Sequence, residues 1–83
     1  MSQLYVIESV SNLDGTTHER ESRRKGQRVE ILNCTVGQAL LLVYRDDYNK
    51  LMRSTPVTNV SYGAVDIVVW TQNSEYTFGK VAA

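Results

Sequence analysis

The residue types that could do chemistry in this 83-residue chain are few and widely spaced. His18 and Cys34 are the only histidine and the only cysteine, and they could pair as base and nucleophile if folding brought them together. His18 lies in a polar stretch without apolar anchors, whereas a catalytic base must be held in order. Asp46 and Asp47 have no third ligand nearby in sequence, so a turn is favoured over a metal site. We therefore expect no enzyme activity, no metal and no cofactor.

A basic segment is the most suggestive feature for binding. Its basic residues, with two glutamates interspersed, are Arg20, Arg23, Arg24, Lys25 and Arg28. A basic loop can contact phosphates, and aromatic side chains can stack on bases. The candidate stacking residues are Tyr5, Tyr44, Tyr48 and Trp70. The whole chain has nine basic and nine acidic residues, which favours a solvated loop over a nucleic-acid or acidic-protein site.

Trp70 is the second binding candidate. Strand alternation puts it on one face with Asp66 and Val68, while β-branched residues occupy the other face. If the β-branched face is the core, Trp70 is partly exposed and forms a binding hot spot with Val68. If a closed barrel buries both faces, Trp70 is a core residue. We predict a partner-binding surface of Trp70, Val68 and Asp66 together with Arg23 and Arg24.

The elements that must position these residues are short strands. Apolar and β-branched runs separated by turn signals predict strands at 3–10, 27–33, 50–55, 65–71 and 74–78. The stretch 36–53 fits either a helix or a strand hairpin around a loop at 46–49, and the hairpin is favoured. Pro56 is expected to end the strand before it. Residues 11–26 are predicted to form a long polar loop.

These elements predict one all-β domain over residues 1–83, a small barrel or β-roll of five to six short antiparallel strands. An open barrel leaves an edge strand, so self-association belongs to the binding hypothesis. The closing hairpin is the firmest element, with Gln72 and Asn73 as its turn. Asn73 tolerates the positive φ of a tight turn, and Thr71 and Ser74 can bond to the turn backbone. Tyr76 and Phe78 are expected to face the core.

The run Thr55-Pro56-Val57 and the hairpin Thr71-Gln72-Asn73-Ser74-Glu75-Tyr76 occur together. This combination resembles uncharacterised small proteins of bacteria and phages, in which a Thr/Ser-Pro-Val step precedes a Thr-x-Asn-Ser-x-Tyr ending. The resemblance covers residues 55–76 only. It implies an SH3-like barrel, and it implies no activity.

The single cysteine indicates a reducing compartment. The start of the chain has no signal-peptide pattern, and the longest apolar run, 39–44, is too short to cross a bilayer. A cytoplasmic protein is expected. Its predicted function is protein–protein binding, as an adaptor, an inhibitor or a self-assembling subunit. The alternatives are a nucleic-acid-binding barrel that uses the segment 20–28, and a phage or mobile-element accessory protein that acts on a host factor.

Overall fold

The described part of the chain is a closed antiparallel β-barrel. A computed structural model describes residues 3–16 and 24–81. The strands are β1 (Leu4–Asn12), β2 (Arg28–Asn33), β3 (Ala39–Tyr44), β4 (Lys50–Tyr62), β5 (Asp66–Thr71) and β6 (Ser74–Lys80). Each strand pairs with the next in sequence, and β6 pairs with β1 to close the ring. The all-β barrel prediction is therefore confirmed.

Strand alternation builds the core of this barrel. Inward positions carry large apolar side chains, and Phe78, Val69 and Leu42 are fully buried. The rings of Tyr76 and Phe78 are stacked with centroids 6.0 Å apart, so both aromatics face the core as predicted. Because the side-chain period of a strand is two, the residues between these positions point outward.

The strand β4 is the longest, and it corrects the prediction for Pro56. The strand continues through Pro56 and runs for 13 residues. The first half of β4 pairs with β3, and the last pair of this ladder is Pro56 with Ala39. The second half pairs with β5, and the first pair of that ladder is Val57 with Thr71. A proline donates no hydrogen bond, and here it lies at the point where β4 changes partner. The prediction that Pro56 ends the strand is wrong, because the ladder needs no donor there.

The stretch 36–53 forms the hairpin of β3 and β4, so the favoured alternative to a helix is confirmed. The connection between these strands is 45–49, which extends the predicted loop by Arg45. β1 reaches Asn12, two residues beyond the predicted strand and into the predicted polar loop at 11–26. Residues 17–23 of that loop lie outside the described part of the chain.

The closing hairpin is confirmed, but its turn differs from the prediction. Ser74 N donates to Thr71 Oγ1 at 3.1 Å, and the hydroxyl of the buried Thr71 lies 3.4 Å from the Ser74 carbonyl oxygen. Asn73 does not have positive φ. In the described part of the chain, the non-glycine residues with positive φ are Tyr48 (52°) and Asn49 (57°) in the β3–β4 loop. The Thr71 hydroxyl therefore anchors the last turn without left-handed backbone.

The ring of pairings also corrects one reason given for self-association. Every strand of the described barrel has a neighbour on both sides, so the predicted open edge strand is absent from it. Closure removes edges. Self-association through the described strands therefore has to use their outward-facing side chains. No helix among the described residues is long and apolar enough to cross a membrane.

Phe78→Ala should strongly lower the free energy of unfolding. Deleting a fully buried phenylalanine side chain costs about 3–5 kcal/mol, a large share of a net stability of about 0.1 kcal/mol per residue. Urea unfolding followed by circular dichroism measures this loss. The control is Leu51→Ala, since Leu51 is 61% exposed and its truncation should cost less than about 0.5 kcal/mol. Equal losses in both variants would contradict the assignment of Phe78 to the core.

Candidate functional site

Trp70 lies on the outer face of β5. The inward positions of this strand are Ile67, Val69 and Thr71, which are buried. Asp66, Val68 and Trp70 alternate with them and are half-buried. The sequence left open whether Trp70 belongs to the core or the surface, and alternation around the buried Val69 puts it outside. The predicted surface residues Trp70, Val68 and Asp66 therefore share one outward row.

Cross-strand neighbours extend this row into a patch. On β6, Glu75 is opposite Trp70, Thr77 is opposite Val68 and Gly79 is opposite Asp66. A Cβ atom at position 79 would lie 2.7 Å from Oε2 of Glu8, so the Glu8 carboxylate of β1 lies over Gly79. We call the resulting patch the Trp70 face; its members are Glu8, Asp66, Val68, Trp70, Glu75 and Thr77.

The Trp70 face has an acidic character. Glu8, Asp66 and Glu75 carry its charges, and no lysine or arginine occupies an outward position of β5 or β6. None of the ion pairs among the described residues involves these carboxylates. An apolar pair, Val68 and Trp70, thus lies beside carboxylates that have no ion-pair partner among the described residues. Such a patch attracts a ligand that combines apolar and cationic groups.

Arg24, which was predicted to join the Trp70 surface, is instead bound at the end of the barrel. Its guanidinium carbon lies 4.1 Å from the centroid of the Tyr44 ring. Its Nη1 atom donates to Asp47 Oδ2 at 2.8 Å and to Gln27 Oε1 at 3.1 Å. The side chain is 14% exposed. These contacts already engage its charge and its planar face, and the role of Arg24 as a partner-binding residue stays a prediction.

Arg28 forms the second pairing with the same acidic loop. Its Nη2 and Nε atoms donate to Asp46 Oδ1 at 2.8 and 3.1 Å, and its backbone N donates to Asp46 Oδ2 at 2.8 Å. These bonds, first the side-chain and then the backbone ones, hold the pKa of Asp46 below its usual value. We call Arg24, Arg28, Asp46 and Asp47 the clasp. It explains the two adjacent aspartates as partners for arginine.

The remaining basic candidates are only partly described. Lys25 is exposed. Arg20 and Arg23, like His18, lie outside the described residues. The suggested pairing of His18 with Cys34 therefore stays untested, and among the described residues no group of three histidine, cysteine or acidic side chains could hold a metal ion.

The predicted stacking residues do not lie on one face. Tyr44 is buried beneath Arg24, and Tyr5 is half-buried against the core. Tyr48 is fully exposed in the β3–β4 loop, and Trp70 is on β5. Bases of one strand cannot stack on all four. The four aromatic residues therefore do not form the single surface that base stacking was predicted to use.

Cys34 makes a contact that the sequence did not indicate. Its Sγ atom lies 3.5 Å from the hydroxyl of Tyr62, at the end of the barrel where β4 finishes. This hydrogen bond, with the charge of Cys34 as a second cause, raises the pKa of Tyr62. Cys34 also packs against the core, in agreement with its predicted role as a small half-buried residue.

Sequence reasoning missed Glu8 and Glu75 as members of the Trp70 face. Alternation around the core residues Tyr76 and Phe78 gives the outward direction of Glu75. Glu8 had no such signal, because a bulge between Ile7 and Ser9 changes the register of β1 against β6.

No protein-family model, curated protein or solved structure matches this chain.

Trp70→Ala should leave a cooperative thermal unfolding transition. The side chain is on the outer face, and its backbone carbonyl still accepts the Thr58 hydroxyl, 3.2 Å away. We expect a loss of about 1 kcal/mol or less, typical of a surface position. Differential scanning calorimetry measures it, with Phe78→Ala as the core control. Loss of the transition would show that Trp70 is part of the core.

Asp46→Asn should lower stability at pH 7 and have a smaller effect at pH 3. A carboxyl group whose pKa is lowered by folding contributes stability above its unfolded pKa of about 4. That contribution is lost as the pH falls through the folded pKa, because the unfolded state then binds the proton more readily. Urea midpoints at both pH values measure the difference. Asp66→Asn is the control outside the clasp, and an equal deficit of Asp46→Asn at both pH values would contradict the linkage.

Proposed function

We propose that this protein is a non-enzymatic protein-binding module and that the Trp70 face is its contact surface. The observation that carries the proposal is the half-buried pair Val68 and Trp70 on the outside of a closed barrel, beside carboxylates that form no ion pair with any described residue. Tryptophan is enriched among the residues that dominate binding energy at interfaces. The proposed partner segment presents an apolar side chain to this pair and a lysine or arginine to the carboxylates.

The rigid framework around the pair supports this proposal. Trp70 and Val68 lie on a strand with hydrogen-bonded neighbours on both sides, opposite Asn59 and Ser61 of β4 and opposite β6 residues. A partner therefore binds a pre-formed surface, and little conformational entropy is lost in ordering the module. The long-range attraction of the carboxylates increases the rate of encounter with a basic segment.

The proposal retains part of the predicted surface and changes the rest. Trp70, Val68 and Asp66 stay, and Glu8 and Glu75 are added. Arg24 is left out because it belongs to the clasp, and Arg23, which lies outside the described residues, stays a prediction. The SH3-like grouping and the bacterial or phage origin stay predictions from the resemblance at 55–76. A cytoplasmic location is part of the proposal, on the ground of the single cysteine.

The nucleic-acid alternative has less support from the described residues. Arg24 and Arg28 would have to leave Asp47 and Asp46 before binding phosphate. Fluorescence anisotropy with short single- and double-stranded DNA and RNA distinguishes the two functions. Saturable binding that weakens with salt and disappears in Arg23→Ala/Arg24→Ala would replace the present proposal.

Selection from a random peptide library is the test of the proposed function. Peptides retained by the immobilised wild-type domain, after removal of those that also bind Trp70→Ala, should combine basic with aromatic or aliphatic residues. Trp70 is the only tryptophan in the chain, so its emission reports binding to the face directly. We expect Trp70→Ala to weaken binding at least about tenfold.

The control for this selection is Tyr48→Asn, which removes a fully exposed aromatic side chain from a loop outside the Trp70 face. Asparagine tolerates the positive φ of position 48. This variant should bind the selected peptides as the wild type does. A selection that yields no peptide dependent on Trp70, or only acidic peptides, would refute the proposal.

A further inference from the structure

The barrel carries a second outward apolar patch, on the strands β2, β3 and β4. Val43 of β3 is opposite Glu30 of β2 and Leu51 of β4. One step along the sheet, Leu41 is opposite Asn33 and Arg53, and the bulged residue Leu32 lies beside Asn33. We call this patch the leucine face; its members are Leu32, Leu41, Val43, Leu51 and Arg53.

The leucine face is apolar and accessible. Leu32 is 48% and Leu51 is 61% exposed. Val43 is 9% exposed although it is not a member of the core cluster, so its outer-face neighbours cover it. Leu41 and Arg53 also line an open groove of about 660 Å³ that continues toward Pro56. Leu32 and Leu51 lie on the two strands that flank β3, and apolar side chains grouped on one sheet face are typical of an interaction surface.

The charge of this face is opposite to that of the Trp70 face. Glu30 is paired with Arg45, which neutralises both. Arg53 is exposed and belongs to none of the ion pairs among the described residues. The leucine face thus offers apolar groups and an arginine, which is the combination proposed above for the partner of the Trp70 face.

The two faces are also on opposite sides of the barrel. In the ring from β1 to β6, the strand β5 is three positions from β2, and β6 is three positions from β3. A single copy therefore cannot bring its two faces together. A contact between different faces of two copies leaves one face of each kind unused, so the assembly continues by adding copies.

We propose that the partner of the Trp70 face is the leucine face of a second copy of this chain, so that the protein self-associates head to tail. Arg53 of one copy meets the carboxylates of the next, and Leu51 and Leu32 pack on Trp70 and Val68. This inference rests on the proposed function, because it names the partner of the same surface. It replaces edge-strand pairing, which barrel closure removes, by contact between side chains of two sheet faces.

Sedimentation velocity over a concentration series tests this inference. The weight-average mass of the wild-type protein should rise with concentration beyond twice the monomer mass of 9.4 kDa. Trp70→Ala and Leu51→Asp should each reduce association at least about tenfold, because each removes one of the two faces. Tyr48→Asn, the control outside both faces, should behave as the wild type does. A wild-type protein that stays monomeric at millimolar concentration would overturn the inference.

Mixing the two variants separates a head-to-tail contact from a symmetric one. Trp70→Ala keeps its leucine face and Leu51→Asp keeps its Trp70 face, so an equimolar mixture should form a complex of two chains and no larger species. In a symmetric contact one face binds its own copy, and the mixture would not recover association. That result, or an oligomer that neither substitution weakens, would refute the inference.

Charge reversal gives a second, independent pair of variants that does not depend on the folding of Leu51→Asp. Arg53→Glu and Glu75→Lys should each weaken association, and the mixture should restore it because opposite charges meet again at both contacts.

If the wild type is monomeric but the peptide selection succeeds, the proposed function stands and only the self-association fails. If no Trp70-dependent peptide is found and the protein is monomeric, both fail.

Discussion

Closure of the sheet by the pairing of β6 with β1 is the constraint on which the rest of this structure depends. Seven residue pairs, from Tyr5 with Lys80 to Asn12 with Ser74, join the two ends of the chain. Once the ring is closed, every strand has one inward and one outward row of side chains. The inward rows hold the core around Phe78, and the outward rows become the only sheet surface available to a partner. The position of Trp70 follows from this division.

The clasp and the β5–β6 turn stabilise two connections of this barrel in different ways. In the clasp, Arg24 and Arg28 bond to the aspartates of the β3–β4 loop, 23 and 18 residues away in sequence. In the β5–β6 turn, the hydroxyl of the buried Thr71 bonds to the backbone of Ser74. Both devices use the charged and polar residues that a sequence search would select as candidate sites. Their contacts assign them to stability, which leaves the outward faces for binding.

The inward pattern of the strands was predictable, because alternation is a local property of the sequence. The closing hairpin, the aromatic core residues and the hairpin at 36–53 followed from it. Pro56 was misassigned because the rule that proline ends a strand assumes a continuous ladder, whereas β4 changes partner there. The clasp, the closure of the barrel and the carboxylate of Glu8 over Gly79 depend on pairings between distant segments, which no local pattern contains. The members of the Trp70 face and of the leucine face could therefore be identified only from the pairing register of the three strands that carry each face.

The most direct test of the central claim, that the outward row of β5 is a binding surface, is amide chemical-shift mapping by NMR. Spectra of the ¹⁵N-labelled protein are recorded across a dilution series and across a titration with a peptide obtained by selection. The account predicts that the largest changes with the peptide lie at Asp66–Trp70 and at Glu75 and Thr77, and that dilution also changes the signals around Leu51. Changes confined to Lys25, Arg28 and the loop 45–49, with β5 unaffected, would contradict it.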